Sequence, residues 1–155
     1  MIKRPVTLCV FLLLSSALAL AQKTIGSSGA PAENWEMKIF TKEGYRSMIL
    51  RGTEVRVAGA NRYDVVDLSI TNFSGDQASR VDSILLSPAA SFFAKENRAQ
   101  GDKSVRLIRD DMEIAGEQWT FHHFPPTATN GAHQKVSIQR NTRVVFHAAL
   151  PDLLR

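Results

Sequence analysis

Hydrophobic and polar residues alternate along most of the chain. From Trp35 the period is two: Trp35, Met37 and Ile39 stand among Glu36 and Lys38. That is the mark of a half-buried β-strand. Met48 and Leu50 repeat it until Gly52 interrupts, and Val55 and Val57 repeat it around Arg56. Val66, Leu68 and Ile70 alternate with Asp67, Ser69 and Thr71. Further strand segments are predicted at residues 81–86, 91–93, 104–109, 112–115, 118–124, 135–139 and 142–148. Turns are expected at Lys42-Glu43-Gly44, Gly59-Ala60-Asn61, Ser74-Gly75-Asp76 and Asp110-Asp111. Breaks are expected at Pro88, residues 95–103, residues 125–133 and Arg140-Asn141. A turn signal every 8–14 residues or so predicts an all-β, antiparallel fold. The expected form is a twisted β-jelly roll or open β-sandwich built from a meander. A short helix is an alternative only over residues 88–99. Residues 150–155 are too few to assign.

Strand periodicity also sorts residues by face. Leu68 and Ile70 share one, as do Val105 and Leu107, Trp119 and Phe121, Val136 and Ile138, and Val144 and Phe146. The opposite faces carry Ser69, Thr71, Arg106, Thr120, His122, Ser137, Gln139 and Arg143. An antiparallel sheet wetted on one side has this pattern. The core of a closed sandwich explains it without any ligand; an apolar groove explains it as well. The first and last predicted strands, residues 35–40 and 142–148, are the candidate sheet edges, unless charged residues or the tail blunt them.

Residues 1–21 depart from the alternation. Lys3 and Arg4 precede an almost wholly apolar run, and Ala19-Leu20-Ala21 is a small-x-small cleavage signal. This reads as an export signal with Gln22 as the new N-terminus, which implies an oxidising compartment outside the cytoplasm. The competing reading is an inner-membrane anchor over residues 6–21, although 16 residues fall short of the roughly 20 that span a bilayer. Cys9 lies inside the apolar run rather than at the cleavage site, which argues against a lipoprotein. Gly26, Ser27, Ser28, Gly29 and Pro31 mark residues 22–34 as a flexible linker. The predicted organisation is a leader (1–21), a linker (22–34), a β domain (35–148) and a tail (149–155).

Removing the leader changes the composition. The chain of 155 residues carries a formal charge of +4 and one cysteine. Cleavage takes two cations and that cysteine, leaving 134 residues at +2. A cysteine-free domain must be stable by burial alone.

The chemistry-bearing residues propose no reaction. His122 and His123 are adjacent, so on a strand they point to opposite faces and cannot share a metal with good geometry. His133 and His147 are distant in sequence. Asp110-Asp111 suits a turn, and no nucleophile elbow, zinc-protease motif or phosphate-binding glycine loop is present. No catalytic residue, metal or cofactor is predicted, and the chain is expected not to be an enzyme. Arg98, Lys103, Arg106, Arg109, Arg140 and Arg143 either meet the phosphates of a ligand or are simply solvated. They are mixed with Glu96, Asp102, Asp110 and Asp111, which disfavours nucleic acid as a partner.

A degenerate repeat of about 30 residues relates residues 84–109 to 114–146, with a fainter copy over 52–71. Each unit is a strand, a polar turn and a second strand. Three segments carry a family likeness: Lys103-Ser104-Val105-Arg106-Leu107, then the acidic turn Asp110-Asp111 leading into Gly116-Glu117-Gln118-Trp119-Thr120-Phe121, then Lys135-Val136-Ser137-Ile138-Gln139-Arg140-Asn141-Thr142-Arg143-Val144. Over roughly residues 45–147 the chain resembles the OstA-like periplasmic domains, the LptA and LptC family of lipopolysaccharide transport. It departs from the family's Gly-Asn-Val strand core, which here reads Lys103-Ser104-Val105 and Arg140-Asn141-Thr142. An insert containing Pro125-Pro126 and Gly131 lengthens the last hairpin. The resemblance implies a periplasmic β-jelly roll whose edges stack on other Lpt jelly-roll proteins. It further implies that lipopolysaccharide acyl chains run along an apolar groove lined by Leu68, Ile70, Val105, Leu107, Trp119, Phe121, Val136, Ile138, Val144 and Phe146. The alternative is a secreted β-sandwich that binds or assembles protein, without lipid cargo.

Overall fold

The computed structural model describes residues 30–125 and 133–147. The leader over 1–21, most of the 22–34 linker, most of the hairpin insert and the 149–155 tail lie outside the described residues. Seven strands follow one another: β1 (Ala32–Phe40), β2 (Arg46–Val57), β3 (Arg62–Phe73), β4 (Val81–Phe93), β5 (Arg98–Ile108), β6 (Met112–Phe124) and β7 (His133–Phe146). They form one sheet in chain order, every neighbouring pair antiparallel. The fold is all-β, an open meander. No helix occurs among the described residues, and residues 88–99 belong to β4, a tight turn and β5. β1 starts at Ala32, inside the span read as linker.

The sheet folds back on itself. In a flat sheet β2 and β6 would lie four strand spacings apart, roughly 19 Å. Yet Ser47 Oγ on β2 is 3.2 Å from His123 Nε2 on β6. Likewise Ser83 Oγ on β4 donates to Gln134 Oε1 on β7 at 3.2 Å. Strands β2–β4 therefore lie over β6–β7. Between them Met48, Leu50, Leu68, Ile70, Leu85, Phe92, Trp119 and Phe121 are fully buried. They form one apolar cluster with Val55, Val65, Val105 and Leu107. A single layer facing water cannot bury side chains so completely; the fold-back supplies the second layer.

A crease across the strands makes the fold-back possible. Backbone φ is positive at Asn34 on β1 (50°), Asp67 on β3 (50°), Gln118 on β6 (53°) and Asn141 on β7 (51°). Asn and Asp tolerate this left-handed region better than most residues. The registers place these kinks in line. Asp67 falls between the Val66–Ala89 and Leu68–Ser87 pairs, opposite Pro88 of β4. Gln118 falls between the Gly101–Trp119 and Ser104–Glu117 pairs, where the β5–β6 register slips by one. Asn141 falls where the β6–β7 register slips between Ala115 and Glu117. Such bulges bend a strand and break its ladder. Side chains repair the ladder: Ser87 Oγ donates to the Ser104 carbonyl at 2.8 Å, Thr53 Oγ1 to Asp67 Oδ2 at 3.0 Å and Asn141 Nδ2 to Glu117 Oε2 at 3.0 Å.

The crease resets the face pattern. On β3, Leu68 and Ile70 are buried but Val66 is 42% exposed, and Val65 takes the core position instead. Strict alternation puts Val66 with Leu68; the left-handed Asp67 between them turns it outward.

Candidate functional site

The ten residues expected to line a groove divide by position. Leu68, Ile70, Val105, Leu107, Trp119 and Phe121 are buried in the folded interior. Val136 and Ile138, on the first half of β7, are half-buried against the same cluster. Val144 and Phe146, on the second half of β7, are 43% and 70% exposed. The registers line up six of them: Trp119 opposite Ile138 and Phe121 opposite Val136, with Ile70 and Leu107 each opposite Leu85. Val144 faces Ile114 at the far end of the β6–β7 ribbon. The polar faces are where alternation puts them: Arg106, Ser137, Gln139 and Arg143 are exposed, and Ser69, Thr71, Thr120 and His122 half-exposed.

The sheet has two edges, β1 and β7, which do not pair with each other. β1 carries Glu36 and Lys38 outward, with Arg51 Nε donating to Glu36 at 2.7 Å. From Gln139 to Phe146, β7 is exposed on both faces, because the ribbon leaves the folded core beyond the crease. There Val144, Val145 and Phe146 form an uncovered apolar end on an edge strand. Edge strands of this kind are templates for pairing with another chain.

Three of the six predicted cations are engaged in ways that need no ligand. Arg106 and Glu113 form a two-bond pair at 2.9 and 3.1 Å across β5 and β6. Those hydrogen bonds hold the Glu113 carboxyl below its ordinary pKa. Arg109 lies 3.5 Å from Asp111, and the Arg98 guanidinium sits 4.2 Å above the Phe93 ring. An open groove of about 820 Å³ crosses the opposite face of the sheet. Arg56, Asp64, Gln100 and Asp102 line it together with Val66 and Trp119, a wall of mixed polar and apolar character with charges of both signs.

Sequence reasoning missed the buried polar residues. Ser47 is the extra residue of a bulge, since Ile39 faces Met48 while Phe40 faces Arg46. The bulge turns its hydroxyl inward to His123. The sequence signal was the consecutive apolar run Met48-Ile49-Leu50, where alternation fails; in the structure Ser47 joins it as a fourth buried residue. His122 and His123 do diverge: His123 is buried, while the His122 ring packs at a tilt against Phe124, 4.2 Å between centroids. Among the described residues no three His, Cys, Asp or Glu side chains gather as a metal site.

Burial, reinforced by the charges of His133 and His122, holds the His123 imidazole below its ordinary value of 6.5. The folded state therefore prefers neutral His123. Above pH 6.5 both states are neutral there, and its contribution is intact. As pH falls below that, the unfolded chain binds the proton first and stability drops, until the folded imidazole also titrates. The melting temperature is expected to fall between pH 7.5 and 5. His123→Gln should flatten that fall, as measured by circular dichroism. An unchanged slope in the variant would assign the acid sensitivity to other groups.

Searches against protein-family models and against curated proteins return no match to this chain.

Proposed function

We propose that the chain is a periplasmic component of lipopolysaccharide transport of the OstA-like type. In this reading it takes lipid acyl chains into its folded apolar interior. It passes them on by pairing its edge strands with those of other Lpt β-jelly-roll proteins. One observation carries the reading: a single open sheet encloses an apolar interior, and its unpaired β7 edge ends in exposed Val144, Val145 and Phe146. Each acyl methylene moved from water into such an interior contributes about 0.8 kcal/mol, so polar contacts are not needed for affinity. Export and a possible inner-membrane association rest on residues 1–21 alone. The same exposed edge also favours the alternative, a secreted β-sandwich that assembles with protein and carries no lipid.

Photo-crosslinking separates the two. A photoreactive residue at Leu107, Trp119 or Phe121 is expected to label lipopolysaccharide, while one at Phe146 labels a neighbouring protein or the lipid passing to it. If every position yields only protein adducts, the carrier reading is abandoned and the assembly module takes its place.

Val144→Asp is expected to leave melting nearly unchanged, within about 0.5 kcal/mol, because the side chain is already exposed. It should nonetheless abolish pairing through the β7 edge, measured as loss of complexes in native mass spectrometry. Intact complexes in this variant would move the docking edge to β1.

A further inference from the structure

Most of the interior is bounded by backbone. Neighbouring strands are tied by ladder hydrogen bonds, and parting any such pair breaks them. One boundary differs. Where β2–β4 lie over β6–β7 the strands are not neighbours, and side chains alone join the layers.

Part of that boundary is polar. Ser47 on β2 meets His123 Nε2 on β6 at 3.2 Å. Asn72 Nδ2 on β3 donates to Ser83 Oγ on β4 at 3.1 Å, and Ser83 Oγ donates to Gln134 Oε1 on β7 at 3.2 Å. Asn72 and Ser83 are register partners, as are His123 and Gln134. Ser47 adjoins Met48, the partner of Asn72. Two short polar rows therefore face each other across the sandwich. Ser47, Asn72, Ser83 and His123 are all buried, one row from the fully buried Leu50, Ile70, Leu85 and Phe121.

These contacts hold the layers weakly. When the layers part, water replaces each lost polar partner, whereas an apolar contact loses its whole transfer energy. Asn72 Oδ1 has no hydrogen-bond partner among the described residues and is buried. Opening would hydrate an acceptor that closure leaves unsatisfied.

We propose that this clasp of Ser47, Asn72 and Ser83 against His123 and Gln134 is the port of the apolar interior, where the two layers part to admit an acyl chain. Entry there breaks no strand pairing. The inference rests on the carrier reading above and names one occupant, a fatty acyl chain.

Two variants of the full-length chain test it, both carrying Cys9→Ser so that introduced cysteines are the only thiols. Ser83→Cys with Gln134→Cys, joined by a short bis-methanethiosulfonate reagent, ties the layers together. Uptake of purified lipopolysaccharide, followed by displacement of an apolar dye, should be lost while bridged and return on reduction. Comparison with the same protein before bridging removes any folding defect from the result. Ser47→Ala with His123→Phe replaces a polar contact by an apolar one and should slow uptake about tenfold while the amount bound at equilibrium stays the same. Wild-type uptake rates in the bridged protein would overturn the port and leave the carrier reading standing. No uptake by the unmodified chain would overturn the carrier reading, and the port with it.

Discussion

Trp119→Ala is expected to lower the unfolding free energy by about 3–5 kcal/mol, the usual cost of emptying a large buried aromatic site. Against a domain stability of roughly 5–15 kcal/mol, that leaves the fold marginal. Trp119 is 1% exposed, and the edge of its indole lies against Gly101 at the crease. Trp119→Phe should cost much less. The indole Nε1 is buried without a partner among the described residues, so the ring swap forfeits no hydrogen bond and removes an unsatisfied donor. Urea denaturation followed by far-ultraviolet circular dichroism reads both values. A loss under about 1 kcal/mol for Trp119→Ala would mean that the interior is a loosely filled groove rather than a packed core.

That experiment also addresses the oldest ambiguity in the sequence. Alternation names an apolar face but not what covers it. In the folded chain most of that face covers itself: Leu68, Ile70, Val105, Trp119 and Phe121 meet one another across the fold-back. Of the ten groove candidates, Val144 and Phe146 remain uncovered. Period two carries no information about this split, because the split depends on how far each strand runs past the crease.

The turns were legible for a physical reason. Gly44 and Gly75 adopt φ of 87° and 69°, which few other residues accept, and they stand where turns were expected. The strand lengths were not. Gly52, Pro88, the region before Ser104, Gly116 and Asn141 all read as strand ends, yet each is a bend inside a strand of 11–14 residues. Glycine, proline and asparagine weaken a ladder equally at a turn and at a bulge, so local sequence cannot tell the two apart. What separates them is the register across neighbouring strands, which lines the interruptions up. The polar clasp was hidden for a related reason. It joins Ser47 to His123 over 76 positions through a bulge that reverses one side chain.

The crease makes a second large effect predictable. Gly116→Ala places a Cβ 2.4 Å from Ile138 Cγ2 and 2.8 Å from the Arg140 carbonyl oxygen. Neither can move alone, since one is a stiff branched side chain and the other is β7 backbone. Relief requires shifting β7 away from β6 where their register slips, at a cost of about 1–3 kcal/mol for alanine and more for valine. For a domain of this size the melting temperature should drop by roughly 5–12 °C. Gly101→Ala should behave alike, with 2.8 Å to both the Ala89 carbonyl oxygen and Trp119 Nε1. Gly59→Ala is the control: its nearest neighbour is 4.0 Å away, so melting should stay within about 2 °C of wild type. If all three variants melt together, the bend does not depend on missing side chains, and the crease must be held by the left-handed residues alone. If Gly116→Ala and Gly101→Ala fall while Gly59→Ala does not, the close approach of strands at the crease is what folds the sheet over its own apolar face.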